Sequence, residues 1–463
     1  MQAKPPSTAP LAAVDMGSNS FRVEIGEMLH GRYRRIDYLK ETVRLGGGLD
    51  ASGMLTEEAV RRGLGCLDHF ATRLAGIPPQ RVRAVATQTL REARNRDAFL
   101  KRAQAVLGHP IEVISGREEA RLIFAGVAHL QPSRQPRLVI DIGGRSTEMI
   151  LGAGRVPQVA ESFAVGSVSL SLRHFGDGRI TEEAFRAAQI AAGAEFEEGL
   201  EAFARARWVE ALGSSGTAGA VSHVLAAAKL SDGTITQKAL RTLMRHCIDA
   251  GHTDRIDLPG LRDDRKPVLP GGLAILYTLC THFGIDALRP AKGALRQGVM
   301  IELHDRLHPS PDGANADMRN ASVRELQRRF GVDLLPALRV RQVAHTLARE
   351  LQPAADDESL RELGWASDLH ELGMSVSHHD HHRHSAYLIS NADAPGFSQS
   401  EQRQLGTLLL GQRGGLRKIE SELEDEGFAW RLLALRLAVI ACHARSETPA
   451  RTFGALRAAS TAV

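Results

Sequence analysis

Two short turns in the first third of the chain carry residue types that bind phosphate. They share the pattern Asp-x-Gly-small-x-Ser, and each lies between an apolar run and a second β-like run. The turns are Asp15-Met16-Gly17-Ser18-Asn19-Ser20 and Asp141-Ile142-Gly143-Gly144-Arg145-Ser146. Consecutive N–H groups at a glycine-containing turn form a concavity that binds anions, and serine hydroxyl groups add donors. An aspartate repels phosphate but holds a hydrated Mg²⁺ that bridges phosphate oxygens. Two such turns facing each other would bind a phosphoanhydride, whereas two ordinary glycine-containing hairpins are the alternative.

A second group of carboxylates lies close to these turns. Glu118 and Glu119 stand near the start of a predicted helix, and Glu148 follows Asp141 by seven residues on the next predicted strand. Hydrolysis of a phosphoanhydride needs a positioned water, a base for its proton and a cation to offset the developing charge. Glu119, Asp141 and Glu148 have the chemistry to supply these between them. The alternative is that Glu118 and Glu119 only complement the dipole at a helix N-terminus.

The elements that would position these residues alternate between strands and helices. Residues 11–14 and 21–25 flank the first turn as a hairpin would, and residues 82–86 and 111–114 form further β-like runs. Apolar residues recur at steps of three and four after Thr56, which predicts an amphipathic helix with Thr56 as its N-cap. Another helix is predicted to begin near Arg117. This alternation predicts an α/β layer structure.

The repeat of one strand–turn–strand unit predicts a duplicated fold with a cleft between its halves. We place the first domain at residues 1–125 and the second at 126–308. A stretch rich in Pro, Asp, Asn and Gly then predicts a linker at residues 309–321. The remaining domain, residues 322–463, reads as almost wholly helical to about His443, followed by a tail.

Composition limits the class of protein. The chain has 463 residues, 43% of them hydrophobic, with a net charge of +4. This mild positive charge permits an anionic partner but does not indicate a nucleic-acid binder. The four cysteines are scattered, which favours thiols in a reducing compartment over disulfides or a zinc site. The N-terminus is short and polar, and no apolar run is long enough to span a bilayer, so we expect a soluble cytoplasmic protein.

Seven sequence blocks resemble the exopolyphosphatase/guanosine-pentaphosphate-phosphatase (Ppx/GppA) family. Six of them follow the family's order across roughly residues 11–300: AAVDMGSNSFRVEIG, ATQTLREARNRDAFLKRA, VISGREEARLIFAGV, LVIDIGGRSTEMILG, ALGSSGTAGAV and GALRQGV. The seventh, DLHELGMSVSHHDHHRHSAYLISNADAPGFS, is similar to the HD-like helical domain of the longer bacterial members.

The resemblance implies a fold class and a set of site residues. The fold is α/β, with duplicated actin-like ATPase (ribonuclease H-like) domains around a cleft, followed by an all-α HD-like domain. The second Glu of the EEAR block, Glu119, is the implied base, and Asp141 and Glu148 are linked to the cation and the scissile phosphate. The expected metal ligands are Asp15, Asp141 and Glu148. The implied phosphate-binding residues are Gly17, Ser18, Asn19, Ser20, Arg91, Gly143, Gly144, Arg145, Ser146 and Thr147.

The resemblance also implies an activity and partners. We expect an exopolyphosphatase that releases terminal phosphate from inorganic polyphosphate with Mg²⁺ or another divalent cation, and the sequence leaves monovalent activation open. The alternatives are a guanosine pentaphosphate (pppGpp) 5′-phosphatase and a non-catalytic sensor, against which the intact Glu119, Asp141 and Glu148 argue. A homodimer is the family expectation. No nucleic-acid partner is expected, and peripheral membrane association stays open.

Three features depart from a simple transfer of the family's properties. The family's third glycine in DIGGGSTE is Arg145 here, which suggests a strained position with φ > 0 or a direct contact with phosphate. For the same reason we expect Arg145→Gly to leave stability unchanged or raise it. The His-rich run at residues 378–384 is read as a polyanion-facing surface or a structural cap rather than a catalytic metal site. The basic residues Arg32, Arg34, Arg35, Lys40 and Arg44 are read as a solvated hairpin face, with a polyphosphate channel as the alternative.

Overall fold

The computed structural model describes residues 9–29, 31–308 and 317–443 of the chain. They divide into two compact units, Met1–Asn315 and Ala316–Val463. The first unit contains strands β1 Leu11–Met16, β2 Ser20–Leu29, β3 Arg32–Thr42, β4 Val82–Ala86, β5 Ile111–Val113, β6 Arg137–Ile142, β7 Thr147–Ala153, β8 Val156–Phe163, β9 Glu210–Ser214 and β10 Leu288–Pro290. Its helices are α1 Glu57–Leu74, α2 Gln88–Glu92, α3 Arg96–Leu107, α4 Gly116–Leu130, α5 Ser167–Phe175, α6 Glu182–Phe196, α7 Ser215–Ala227, α8 Gln237–Ala250, α9 Leu269–His282 and α10 Leu295–Leu307.

The first unit is an internal duplication, as the repeated turns predicted. Its two five-stranded sheets have the orders β3-β2-β1-β4-β5 and β8-β7-β6-β9-β10. In each sheet the first three strands in chain order pair antiparallel with one another. The last two run parallel to the central strand, which is β1 in one sheet and β6 in the other. The central strands β1 and β6 are buried throughout because helices cover the sheets. The two Asp-x-Gly turns therefore occupy equivalent positions, at the ends of β1 and β6.

Local sequence signals account for the predicted elements. Helix α1 begins after Thr56, whose hydroxyl oxygen accepts a hydrogen bond from the Ala59 N–H at 3.3 Å. Helix α4 begins after Ser115, which caps it by accepting from the Glu118 N–H at 3.1 Å. Such side-chain caps satisfy donors that the first helical turn leaves free. The N-cap of α4 thus decides where Glu119 stands.

Helix α4 packs closely on α10, and glycine makes the approach possible. A Cβ at Gly298 would lie 1.8 Å from the Leu122 carbonyl oxygen, and one at Gly126 would lie 2.5 Å from the Ala294 carbonyl oxygen. The pair shares a core with both sheets, for example through Val85 and Val139. The predicted domain boundary at residues 125/126 falls inside α4, which packs against elements of both halves.

The second unit is helical, as predicted. It contains α11 Met318–Arg329, α12 Leu334–Leu351, α13 Asp357–Asp368, α14 His381–Asn391, α15 Gln399–Gly411 and α16 Glu426–Ala441 around their own apolar core. The predicted linker ran to residue 321, but α11 begins at Met318, with Asp317 as its N-cap. The rest of that linker, residues 309–316, and the predicted tail after His443 lie outside the described residues. No described helix is both long enough and apolar enough to cross a membrane.

Candidate active site

A polar cleft in the α/β unit encloses a cavity of about 300 Å³ between the two turns. The predicted site residues that line it are Asp15, Gly17, Ser18, Asn19, Ser20, Glu119, Asp141, Gly143, Gly144 and Ser146. The turns lie against each other, since a Cβ at Gly144 would be 3.3 Å from the Ser18 Cβ and 3.6 Å from the Asn19 Cβ. The structure thus brings together two turns that are more than 120 residues apart in the sequence.

Three helix N-termini also point their first residues into this cleft. Ser167 of α5, Ser215 of α7 and Leu295 of α10 all line the cavity, and these helices have 9, 13 and 13 residues. At α5 the N–H groups of Ser167, Val168 and Ser169 donate to the carbonyls of Gly143 and Gly144, so this end holds the second turn and offers an anion only its helix dipole. The dipoles of all three ends are favourable for anions, and unoccupied N–H groups at a helix N-terminus add donors. Ser215 has φ +64°, a left-handed conformation that is rare for a non-glycine residue. Little in the sequence indicates this convergence, because GSSGT is equally consistent with an ordinary turn.

A buried hydroxyl group on the cavity wall lacks a partner. Ser20 is 2% exposed, and its Oγ makes no hydrogen bond within the described part of the chain. A buried hydroxyl without a hydrogen bond is costly. Its position in the first turn fits a donor that an anion in the cleft would satisfy.

Four cationic side chains line the cleft, and two of them have no acidic partner among the described residues. Arg22 and Arg296 bind Asp15 with N–O distances of 3.0 and 3.4 Å. Among the described residues, no carboxylate lies within ion-pair distance of Lys40 or Arg265, although the charge of Asp264 acts on both. Burial, followed by the charges of Arg265 and Arg22, lowers the pKa of Lys40 to about 8. An anion bound in the cleft would offset the repulsion between Lys40 and the two arginines.

The sequence analysis missed most of these cations. For Lys40 the sequence predicts a solvated hairpin face, with a polyphosphate channel as the alternative, and the structure places it near the end of β3 on the cleft wall. Arg22 is paired directly with Asp15 in the β1–β2 register, which the hairpin pattern could have indicated. Arg265 lies in a polar segment with no local signal of function.

The carboxylates of the cleft are held in unusual electrostatic surroundings. Burial raises the pKa of Glu119 to about 7, against the opposing effect of Arg91, whose Nη1 lies 2.9 Å from Glu119 Oε2. Burial also raises the pKa of Asp141, partly offset by Ser215 and Ser214. The pKa of Glu148 is raised well above its ordinary value by burial and then by the charges of Glu119 and Asp141. A carboxylate poised near neutral pH suits a general base.

Four predicted residues do not line the cavity. Glu148 lies opposite Asp141 in the β6–β7 register, and its Oε1 accepts from Ser162 Oγ at 2.8 Å. Thr147 is fully buried and donates to the Val165 carbonyl. Arg91 binds Glu119. The fourth, Arg145, is described below.

Comparisons with known proteins agree with this geometry. The profile of the Ppx/GppA phosphatase family matches residues 27–307, and that of Ppx/GppA phosphatase domain III matches residues 318–461. This chain belongs to the Ppx/GppA phosphatase family.

Solved structures of the family share the fold of the α/β unit. An exopolyphosphatase-like protein has 24% identity and a TM-score of 0.58, covering 65% of this chain and 98% of its own. An exopolyphosphatase from Cytophaga hutchinsonii has 23% identity and a TM-score of 0.58, with coverage of 64% and 98%. The Aquifex aeolicus Ppx/GppA enzyme has 23% identity and a TM-score of 0.53, with coverage of 63% and 98%. The predicted fold class, two duplicated α/β halves followed by a helical domain, is confirmed.

The expectation that Arg145 is strained is wrong for this Ppx/GppA chain. The non-glycine residues with positive φ in the described part are Arg44, Ser215, Lys229 and Asp380, so Arg145 occupies ordinary backbone conformation. Its guanidinium does not line the cavity. It binds Glu92, with Nη2 2.6 Å from Oε2, and donates to the Gly46 carbonyl at 3.3 Å. Arginine is accommodated here because its side chain finds partners on the opposite half of the fold.

Arg145→Gly is therefore expected to lower the free energy of unfolding by about 1 kcal/mol. The variant loses a partly exposed ion pair and gains backbone freedom in the unfolded chain. Denaturant unfolding of the variant and of Arg145→Ala, which loses the ion pair without the glycine, separates the two contributions. A Gly variant as stable as the parent or more stable would contradict this assignment.

The residues present fit one hydrated divalent cation better than a multi-carboxylate cage. Within the described residues, no group of three or more His, Cys, Asp or Glu side chains is arranged to hold a metal ion. Of the expected ligands Asp15, Asp141 and Glu148, Asp15 is bound to two arginines and Glu148 does not line the cavity. Mg²⁺ usually takes one or two carboxylates and keeps waters and phosphate oxygens. Asp141, on the cavity wall without an ion pair, fits that role.

Proposed function

We propose that this chain is an exopolyphosphatase that releases orthophosphate from the end of inorganic polyphosphate. The observation that carries the proposal is the cleft itself. Three helix N-termini, two glycine-containing turns and two cations that form no ion pair among the described residues surround one cavity, and the buried Glu119 lies on its wall. This combination offers many donors for phosphate oxygens next to a carboxylate that can accept a proton.

The residues of the cleft have distinct roles in the proposed reaction. The turns and the helix N-termini bind and orient the terminal phosphoryl group. Glu119 accepts a proton from water as the water oxygen bonds to the terminal phosphorus. The bond from phosphorus to the bridging oxygen breaks, and the shortened chain leaves with that oxygen as a phosphate oxyanion. Asp141 would hold Mg²⁺, which when bound offsets the charge of the phosphate oxygens.

The surroundings of Tyr38 favour polyphosphate over pppGpp. Tyr38 is the aromatic residue among those that line the cavity. Its ring is already engaged by two guanidinium groups, those of Arg296 and Arg35, with Cζ atoms 5.2 and 5.4 Å from the ring centroid. A guanine base would stack best on a free aromatic ring. A substrate made only of phosphate needs neither.

One assay tests the proposal directly. The full chain is given long-chain polyphosphate or pppGpp, with Mg²⁺ or with EDTA, and released phosphate is measured in one preparation. We expect a higher kcat/KM for polyphosphate and loss of activity in EDTA. A higher kcat/KM for pppGpp would make the nucleotide phosphatase the correct function, and no phosphate from either substrate would overturn a phosphatase assignment of this cleft.

Arg265→Ala is expected to raise KM for polyphosphate by about 10- to 100-fold with little change in kcat. The guanidinium has no competing acidic partner in the described chain, and a hydrogen bond to a charged group contributes about 1.5–3 kcal/mol. The plot of log KM against log salt concentration should become less steep, because the variant releases fewer counterions. Arg102→Ala is the matched control, since Arg102 does not line the cavity and makes an exposed ion pair with Glu57 at 2.9 Å. Equal KM values for the two variants would exclude Arg265 from the phosphate path.

A further inference from the structure

A continuous series of hydrogen bonds begins at the second turn and leads toward the wall of the cleft. Arg145 donates to Oε2 of Glu92 from both Nε, at 3.0 Å, and Nη2, at 2.6 Å. The other oxygen of that carboxylate, Oε1, accepts from Nε2 of Gln88 at 2.5 Å. Each oxygen of Glu92 is thus engaged by a different side chain.

The series continues from Gln88 to the carboxylate that we assign as the base. Gln88 Oε1 accepts from Nε and Nη2 of Arg91 at 2.9 and 2.5 Å. Arg91 Nη1 donates to Glu119 Oε2 and to the Ile114 carbonyl, both at 2.9 Å. The guanidinium is planar and is bound along two edges, so its orientation is determined by its partners.

We propose that Arg145, Glu92 and Gln88 are positioning residues that orient the Arg91 guanidinium and, through it, the carboxylate of Glu119. The inference rests on the proposed function, since it gives these residues a role in the same reaction. We call this series the Arg145–Glu119 relay. The relay joins the two halves of the duplicated fold, because Arg145 lies on the β6–β7 turn of the second half while Glu92 lies on α2 of the first. The relay is therefore complete only when the β6–β7 turn packs against α2 of the first half.

The short helix that carries the middle of the relay needs such support. Helix α2 has five residues and its N-cap, Thr87, makes no side-chain capping bond. A helix of this length has little stability of its own, so tertiary contacts determine how its side chains point. The outer pair is partly solvated, with 24% of the Arg145 side chain and 35% of the Glu92 side chain exposed. Such a pair adds little to stability, whereas a small displacement of a catalytic group lowers the rate strongly.

Two other roles for Arg145 would change KM, kcat and stability in different ways. A direct contact with phosphate would appear mainly as a higher KM, and the guanidinium does not line the cavity. A purely structural bridge would lower stability without changing kcat at a temperature where the protein is folded. The relay instead predicts a lower kcat, a nearly constant KM and dependence on Glu92.

The test is a double-mutant cycle with full-length protein and long-chain polyphosphate. We expect Arg145→Gln to lower kcat by about 3- to 10-fold and to change KM by less than about twofold, as loss of orientation does. Glu92→Gln should have a similar effect, and the double variant should be no slower than either single variant. Arg145→Lys, which keeps the charge facing Glu92, should recover most of kcat. Arg102→Gln is the control, because Arg102 makes an exposed two-bond pair with Glu57 that has no connection to the cleft.

A second readout does not depend on activity. The ¹³C carboxyl resonance of Glu119, assigned by its loss in Glu119→Gln, should shift in Arg145→Gln and stay unchanged in Arg102→Gln. The relay would be overturned if the effects of Arg145→Gln and Glu92→Gln on kcat multiplied in the double variant, or if neither changed kcat. It would also be overturned if the Glu119 resonance were the same in Arg145→Gln as in the parent. A wild-type protein that releases no phosphate would instead refute the proposed function, and the resonance would still decide whether Arg145 acts on Glu119.

Discussion

Glu119→Gln is expected to lower kcat for phosphate release by a factor of about 10²–10⁴, the range found when a general base is removed. The amide keeps the shape of the side chain but cannot accept the proton of the attacking water. Substrate affinity should stay close to that of the parent, because the turns, the helix N-termini and Arg265 are untouched. The measurement is steady-state phosphate release at saturating polyphosphate.

A matched control distinguishes the loss of a base from a general disturbance of the fold. Glu183→Gln changes a glutamate in the first turn of α6 that is exposed to solvent, and it should keep wild-type kcat. A thermal melt should show that Glu119→Gln is folded. If that variant retained more than about half of the parent's turnover, Glu119 would not be the base.

Glu302→Ala is expected to lower the free energy of unfolding of the α/β unit by about 3–5 kcal/mol, the cost of breaking a buried ion pair on one side. Glu302 lies on α10 and is 8% exposed. Its Oε1 accepts from Arg83 and Arg306 at 2.9 and 2.7 Å, and its Oε2 accepts from Arg121. Removing this carboxylate would leave a buried cluster with an excess of positive charge.

Denaturant unfolding of the variant against the parent measures this effect. Glu57→Ala, which breaks the exposed pair with Arg102, is the control and should change stability much less. A Glu302 variant within about 1 kcal/mol of the parent would show that solvent or rearranged side chains compensate the charge. The position of Glu119 should be affected as well, because Glu302 on α10 binds Arg121 on α4, the helix that carries Glu119.

The sequence alone indicated the features that depend on neighbouring residues. Alternating apolar runs with glycine-containing turns predicted the β1–β2 and β6–β7 hairpins. The spacing of apolar residues after Thr56 predicted α1, and the repeated Asp-x-Gly turn predicted the duplication. Glu119 and Asp141, which were candidates because they lie in short motifs, both line the cleft. Each of these signals lies within one element or one turn, where backbone preferences and side-chain caps act directly.

The tertiary structure alone decided what depends on distant residues. Arg145 looked strained from its place in the turn, yet its conformation is ordinary because Glu92 and Gly46, some 50 and 100 residues earlier, bind its guanidinium. Helix α4, which contains the predicted boundary, packs on α10 about 170 residues later in the chain. Lys40 and Arg265 both line the cleft, although no sequence motif connects them. No short window contains both members of such a pair, so packing and charge across the duplicated halves determine these contacts, and only the folded chain brings them together.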